Sequence, residues 1–127
     1  MTYEEINDMM AEMSYQLASC ADIPAHLGQH PDSVRGIPYA YHHFAEGASP
    51  APPFLLFLSP GEDTFSADNA AYHSFKQLDI ELYTDKKNPT LEEEIEAVLT
   101  QHEIYFTKTE AWIESERLYE VLYEMTI

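Results

Sequence analysis

Residues 72–84 read YHSFKQLDIELYT, and the second half of this stretch alternates between apolar and acidic side chains. In an extended chain the two kinds of residue take opposite sides: Leu78, Ile80 and Leu82 on one, Asp79 and Glu81 on the other. This period of two predicts a β-strand with one buried face and one wet face. A polar turn at 85–89 and a strongly marked helix follow. We therefore expect a sheet with a helix packed on one side.

Length and composition narrow the class of protein. With 127 residues, the chain suits one domain, 1–127, that buries a single core. No apolar run approaches the roughly 20 residues that a membrane-spanning helix needs. The acidic N-terminus lacks the basic start of a signal peptide. The lone cysteine, Cys20, cannot form an intrachain disulfide, which is typical of a reducing cytoplasm.

The charge balance argues against two classes of partner. Six Lys plus Arg against 23 Asp plus Glu give a formal net charge of −17. Such a surface repels nucleic-acid phosphates and anionic membranes, because six scattered cations cannot form a basic patch. We expect neither specific nucleic-acid binding nor membrane binding. By itself, the acidic surface is more often simply a means of keeping a protein soluble.

The N-terminal part predicts a helix and a long loop. Thr2 and Glu5 have capping-box spacing, and apolar residues recur at helical spacing as far as Cys20. Residues 3–20 are therefore predicted to form an amphipathic helix. Its methionines suit an adaptable partner surface, but such a stripe is more often core, and we favour core. Residues 21–36 show no period and predict a loop long enough to be a candidate interaction element.

Three strand-like segments come next, at 37–44, 54–58 and 72–84. The second is too uniformly apolar for one face to be wet, so it is either central in the sheet or buried on both sides by assembly. Residues 59–63 read as a turn, and 64–69 lead into the third strand. Three strands in succession predict an antiparallel meander.

The second helix is the clearest element in the sequence. Pro89 suits the first helical position, and Thr90 with Glu93 forms a second capping-box pair. The helix is expected to end near His102. Its apolar stripe consists of Leu91, Ile95, Val98 and Leu99.

Two strands, at 104–113 and 117–127, complete the chain around a turn at 114–116. In the last strand the faces are again distinct: Tyr119, Val121, Tyr123, Met125 and Ile127 on one, Glu120 and Glu124 on the other. The order is α-β-β-β-α-β-β. The predicted fold is α+β: a single-layer, mainly antiparallel sheet of four to five strands with two helices packed on one face.

The histidines offer no convincing metal site. His42 and His43 are adjacent, so on a strand they would point to opposite faces and could not hold one ion together. His26 and His30 have i, i+4 spacing, but a nearby glycine and proline disfavour a helix there. No metal-binding motif is present. We expect no metal and no cofactor.

No catalytic constellation is visible either. Cys20 is aligned with the apolar face of the first helix, where a thiol usually behaves as a small hydrophobe. The serines lie outside any nucleophile-elbow context. Carboxylates are so abundant that no single pair is informative. We therefore expect a protein that is not an enzyme.

Aromatic residues are abundant, with nine Tyr, six Phe and one Trp. Tyrosine suits surfaces that are wet alone and dry when assembled, because it joins apolar area to a polar tip. A sheet core with tyrosines at its rim explains them equally well. The candidate interaction residues, which include the two acids of the alternating strand at 72–84, are Tyr39, Tyr41, Phe44, Asp79, Glu81, Tyr119 and Tyr123.

Two stretches carry a resemblance to a known family. They are PYAYHHFAEGASPAPPFLLFL, at 38–58, and IELYTDKKNPTLEEEIEAVLTQHEIYFTKTEAWIESERLYEVLYEMTI, at 80–127. Together they resemble small phage and prophage proteins of Gram-positive hosts that are encoded among head–tail joining and tail genes. The similarity extends from residue 37 to residue 127. Its most specific pattern is LYTDKK, an acidic helix, and then WIESERLYEVLYE.

The resemblance implies a tail-completion, or tail-terminator, protein. Such proteins have a sheet with two helices to one side and form hexameric rings between the tail tube and the head connector. They have no catalytic motif to transfer. The expected location is the head–tail junction of the virion, and the host cytoplasm during assembly. The alternative is a small acidic module that binds a basic protein surface, or a regulator, in the host cytoplasm.

Overall fold

A computed structural model of the chain describes residues 1–20, 36–44, 47, 50–59, 62–67 and 70–127; for 62–67 and 70–76 it describes the backbone alone. The predicted loop at 21–36, apart from its last residue, lies outside the described residues, as do His26 and His30. The elements are α1 (Tyr3–Ala18), β1 (Tyr39–Tyr41), β2 (Phe54–Leu58), β3 (Glu62–Ala67), β4 (Ala70–Thr84), α2 (Pro89–Gln101), β5 (Phe106–Ile113) and β6 (Leu118–Thr126).

The strands form one sheet in the order β1-β2-β4-β6-β5, and β3 pairs with the first half of β4. Pairing is antiparallel between β2 and β4, β4 and β6, and β6 and β5. Strand β4 is therefore the central strand of this order, and its alternating residues face the two sides of the sheet as predicted. The α+β class, the mainly antiparallel sheet and the predicted order of helices and strands are confirmed, with one additional strand, β3, inserted between β2 and β4.

Strand β3 was not predicted. Residues 59–63 were expected to form a turn and 64–69 to lead into the next strand, but Glu62–Ala67 pairs with β4 from Glu62↔Lys76 to Ala67↔Ala70. The pairing of β4 with β6 begins only at Gln77↔Thr126. Strand β4 is long enough to provide a template beyond the main sheet, and the chain folds back along it. The acidic start of β3 gives no apolar alternation from which this pairing could be read.

Both helices cover one face of the sheet and form the core with it. The apolar face of α1, including Met9, Met10 and Met13, is almost completely buried. The interpretation of the methionine stripe as core is confirmed. The sheet contributes Leu55, Phe57, Leu78, Ile80, Leu82, Val121, Tyr123 and Met125, and α2 contributes its predicted stripe. Within the described residues, no helix is both long and apolar enough to cross a membrane.

The two helix starts differ in how well they were predicted. The capping box of α1 is confirmed, since the Thr2 side chain accepts from the Glu5 backbone N–H at 3.2 Å and Glu5 accepts from the Thr2 N–H. In α2, Pro89 is at the start as expected, but the cap is Asn88, whose side chain accepts from the Leu91 N–H at 3.3 Å. The Thr90–Glu93 box is wrong because the helix already begins at Pro89.

The first edge strand departs from the predicted meander. Strand β1 has three residues instead of eight and runs parallel to β2. The chain between β1 and β2 is long enough to return to the other end of the sheet, as parallel pairing requires. Just before β1, the Ser14 hydroxyl donates to the Ile37 carbonyl at 2.6 Å, and the Ile37 N–H donates to Ser14. A side chain at Gly36 would overlap Ser14 Oγ, so the chain can approach α1 this closely only with glycine.

Candidate interaction surface

The face of the sheet opposite the helices is uncovered in the described chain, and we call it the open face. Acidic and apolar side chains are interspersed across it. In one row Leu56 of β2 lies opposite Glu81, which lies opposite Leu122. In the next row Leu58 lies opposite Asp79, which lies opposite Glu124. The open face consists of Phe54, Leu56, Leu58, Asp79, Glu81, Tyr83, Glu120, Leu122 and Glu124.

Asp79 and Glu124 are two like charges at directly opposite positions of neighbouring strands. Such pairs are destabilising because the side chains are only about 5 Å apart at Cβ. Burial raises the pKa of Asp79, and the nearby Glu124 raises it further. Asp79 Oδ1 is buried and accepts no hydrogen bond from any described residue. This carboxylate is therefore poorly satisfied in the isolated chain.

A second acidic group surrounds Tyr83. Its hydroxyl lies 2.9 Å from Glu81 Oε2 and 3.0 Å from Glu120 Oε2. A phenol has one proton to donate, so it can satisfy only one of the two carboxylates at a time. Burial raises the pKa of Glu81; the Tyr83 hydrogen bond and His42 oppose this, and Glu120 and Asp79 add to it. The pKa of Tyr83 is raised by burial and by the same two glutamates.

Two lysines form ion pairs on the other side of the sheet. Lys87 and Lys108 bind Glu92 at 2.7 and 2.8 Å, and they also bind Glu110 and Glu96, respectively. All of these residues lie on the helix side. Among the described side chains, no Lys or Arg forms an ion pair with Asp79, Glu81, Glu120 or Glu124. The open face therefore has a local excess of negative charge.

Aromatic residues border the acidic rows towards β1. The Phe54 ring stacks on Tyr83 at 5.0 Å between centroids, and Phe44 meets Phe54 edge-on at 5.4 Å. A shallow concavity of about 370 Å³ opens here. It is lined by His43, Phe44, Phe54, Leu56, Tyr83, Ile113 and Glu116.

The structure divides the predicted interaction residues among different places. Asp79 and Glu81 lie on the open face, and Phe44 lies at its border. Tyr39 and Tyr41 lie on the helix side of β1, near Phe57. Tyr119 packs against Trp112 beside the turn between β5 and β6.

Tyr123 belongs to the core. It has no exposed surface, and its hydroxyl donates to Glu96 Oε2 at 3.0 Å. Burial and the neighbouring carboxylates Glu96 and Glu92 raise the pKa of this phenol. Tyr123 therefore joins β6 to α2 instead of contributing to an accessible surface.

The prediction that His42 and His43 lie within a strand is wrong. His42 and His43 follow β1 instead of lying within it, and His42 has a positive φ of 68°. Their rings meet edge-on at 5.1 Å instead of pointing to opposite faces. Within the described residues, no three His, Cys, Asp or Glu side chains are grouped closely enough to hold a metal ion.

Sequence reasoning missed seven members of the candidate surface: Phe54, Leu56, Leu58, Tyr83, Glu120, Leu122 and Glu124. The alternation of the last strand did place Glu120 and Glu124 on one face. It could not reveal that this face adjoins Asp79 and Glu81, because only the register between β4 and β6 brings the two rows together.

No family model and no curated protein sequence matches the chain.

Proposed function

We propose that this chain is a non-enzymatic structural protein of a tailed phage or prophage, which acts in tail completion at the head–tail junction. It assembles as a homo-oligomeric ring, hexameric in the family it resembles, and contacts tail-tube and head-connector proteins. It needs no cofactor. The proposal starts from the resemblance of residues 37–127 to that family. The protein would be assembled in the host cytoplasm and act in the virion.

The observation that carries the proposal is the open face: a sheet surface that no described element covers, with four carboxylates and no Lys or Arg among its described residues. A ring through which DNA passes needs a lumen that does not hold phosphate. Rows of carboxylates supply the required repulsion. With Asp79, Glu81, Glu120 and Glu124 turned inward, every subunit adds the same repulsive rows to the channel.

Assembly with tail tubes is the direct test. The purified protein is mixed with purified tail tubes from the same phage genome, and complexes are examined by native mass spectrometry and electron microscopy. We expect a ring at one tube end with a mass that is a small multiple of 14.6 kDa. A protein that stays monomeric and does not bind the tubes would contradict the proposal.

Charge reversal tests the lumen separately. Asp79→Lys with Glu81→Lys changes the charge of the open face while leaving the helix side intact. We expect rings to form and DNA delivery to fall, since lysines in the channel would bind phosphate. The matched control is Asp8→Lys with Glu4→Lys, the same change of charge on the exposed side of α1. Equal DNA delivery by both variants would exclude the open face as the lumen.

A second function is favoured by a different property of the same face. Leucines alternate with the acids there, as in a surface that binds a basic, partly apolar protein. In this alternative the chain is a small acidic binding module or regulator in the host cytoplasm. Pull-down from host lysate, followed by binding measurements with the purified partner, separates the two functions. The alternative predicts one stoichiometric basic host protein, whereas the first proposal predicts virion proteins.

A further inference from the structure

Strand β5 is the outer strand at one end of the sheet, and its outer edge is unpaired in the described chain. It is eight residues long and pairs with β6 without a bulge, from Phe106↔Met125 to Ile113↔Leu118. Residues 107–112 are all exposed. One side of β5 therefore presents a straight row of backbone N–H and C=O groups that have no strand to bind.

The opposite edge of the sheet is protected in ways that β5 is not. Strand β1 has only three residues, follows Pro38 and ends at His42 in a left-handed conformation. Short length, proline and local distortion are the usual means by which edge strands avoid pairing with another chain. Strand β5 contains no proline and is more than twice as long. Its lysine, Lys108, is neutralised by Glu92 and Glu96. Of these two edges, β5 is therefore the one that remains able to accept a partner strand.

We propose that β5 pairs antiparallel with β5 of a second copy of this chain, about a twofold axis at Thr109. The inference is independent of the proposed function, because it concerns how the free protein associates. An isologous strand pair of this kind joins the two sheets into one, with both helix layers on the same side. The two open faces then also form one continuous surface.

Charge selects this register over its neighbours. A twofold axis normal to the sheet places the helix-side residues of one strand opposite helix-side residues of the other. This is possible only if the residue at the axis lies opposite the same residue of the second copy. With the axis at Lys108, two lysines are directly opposite, and with the axis at Glu110, two glutamates are. Only an axis at Thr109 places Lys108 opposite Glu110 of the second copy, twice. Opposite charges across strands stabilise pairing, and like charges oppose it.

The charged groups have bonding capacity left for this contact. Lys108 Nζ binds Glu92 and Glu96, and an ammonium group has three protons to donate. Glu110 binds Lys87 through Oε1 only. Both side chains remain accessible, with 34% of Lys108 and 42% of Glu110 exposed. Within the described residues, the third ammonium proton and Glu110 Oε2 form no ion pair, so they are available to bind across the twofold axis.

The same register also satisfies the aromatic end of β5. It places Trp112, 45% exposed in the monomer, opposite Phe106 of the second copy, again twice. Phe106 itself packs edge-on against Tyr123 in the core at 5.4 Å. The contact would therefore extend the core of each copy to an indole that is otherwise largely wet. Aromatic cross-strand pairs are among the more stabilising ones in sheets.

Sedimentation equilibrium and tryptophan fluorescence test the association. The chain has one tryptophan, so its emission reports on Trp112 alone. From about 1 µM to about 1 mM, we expect the mass to rise from that of one chain to twice that value. A blue shift of the emission is expected to follow the same curve. A mass that stays at 14.6 kDa throughout would overturn the proposal.

A matched pair of variants at the axis tests the site. Thr109 is exposed and lies on the side of β5 away from the ion pairs of α2. Thr109→Glu places two carboxylates against each other at the axis and should weaken dimerisation at least tenfold. Thr109→Val keeps the β-branched shape and should dimerise within about threefold of the original chain. Equal dimerisation of both variants, with unchanged circular dichroism, would contradict pairing through β5.

Cysteine cross-linking tests the register. In a Cys20→Ser background, Thr109→Cys places two thiols opposite each other at the axis, where antiparallel Cα separations of about 4.5–5.5 Å suit a disulfide. It should cross-link under mild oxidation much faster than Thr107→Cys or Ala111→Cys. A mixture of the last two variants should form the heterodimer, since 107 lies opposite 111. Equal cross-linking of all three single variants would exclude the Thr109-centred register.

Discussion

Acidic residues on the two sides of the sheet have pKa values that are shifted in opposite directions. On the helix side, Glu92 is almost fully buried, and burial by itself would raise its pKa. Hydrogen bonds and charge attraction from Lys108 and Lys87 outweigh this effect and lower the pKa. On the open face, no lysine whose side chain the structure describes pairs with Asp79 or Glu81, and burial with neighbouring acids raises their pKa values.

The difference teaches that burial alone does not decide whether a carboxylate stabilises this fold. Lys87 and Lys108 both form ion pairs on the helix side, where they link α2 to the turn before it and to β5. The open face consequently retains mutual repulsion that the rest of the fold must outweigh. A surface left in this state is what we expect where a partner supplies the missing compensation.

The largest expected effect concerns the helix side, where Glu92 forms ion pairs with two lysines. Glu92→Gln leaves two lysines without their common partner and should lower the free energy of unfolding by about 2–3 kcal/mol. The effect should lie below that of a fully buried pair because both lysines are about a third exposed. Urea denaturation measures it. Glu93→Gln, at the exposed neighbouring position, is the control and should change stability by less than about 0.5 kcal/mol.

Two tyrosines allow the same comparison with a smaller change. Both Tyr123 and Tyr83 donate to glutamates, but only Tyr123 is completely buried. Tyr123→Phe should cost about 1–2 kcal/mol, whereas Tyr83→Phe should cost about 0.5 kcal/mol or less. Thermal unfolding of the two variants side by side measures the difference. Equal losses would mean that the open-face hydroxyl is as structurally important as the core hydroxyl.

Removing one open-face charge should stabilise the protein. Asp79→Asn relieves the repulsion with Glu124 and should raise the free energy of unfolding by about 0.5–1 kcal/mol at neutral pH. The gain should shrink at high salt because the removed interaction is electrostatic. Asp8→Asn on the outer side of α1 is the matched control and should have little effect. A loss of stability in Asp79→Asn would show that Asp79 has a favourable interaction here.

The pH dependence of stability should combine the two faces. Because the folded-state pKa values of Asp79 and Glu81 are raised, the folded protein binds protons more tightly there, and stability should increase as pH falls from neutrality towards their ordinary values, 3.8 and 4.5. The opposite sign holds for Glu92. Its contribution is complete above its ordinary value of 4.5 and is lost as pH falls through its lowered pKa.

Thermal unfolding across this pH range tests the combination, with an expected gain of a few degrees on mild acidification. The Asp79→Asn, Glu81→Gln double variant should lose that gain and retain the loss at lower pH. A double variant with the same profile as the original chain would mean that the open-face acids do not titrate abnormally.

The elements that could be predicted from sequence are those whose signals are local. The alternation in β4, the capping box at Thr2 and the apolar stripe of α2 each depend on residues within a few positions of one another. Strand β3 and the parallel pairing of β1 could not be predicted in this way. Both depend on where a distant strand edge becomes available, and neither segment has a periodicity that would reveal it.

The acidic residues of β4 on the candidate surface could be predicted from the sequence, but their neighbours on β6 could not. Asp79 and Glu81 could be assigned to a wet strand face because Leu78, Ile80 and Leu82 point the other way. Which acids lie beside them depends on the register of β6. A shift of one residue would have placed apolar side chains there instead.

The sequence by itself determined the apolar faces of both helices and of β4, and where the helices and main strands would form, because those properties follow from local spacing and from hydrophobicity. Tertiary structure alone decided which charges meet. It brought Lys87 and Lys108 to Glu92, and it set Asp79 against Glu124. Charge interactions depend on distance and local dielectric, which neighbours far apart in the sequence determine. That is why twenty-three acids look alike in the sequence and differ so clearly in the fold.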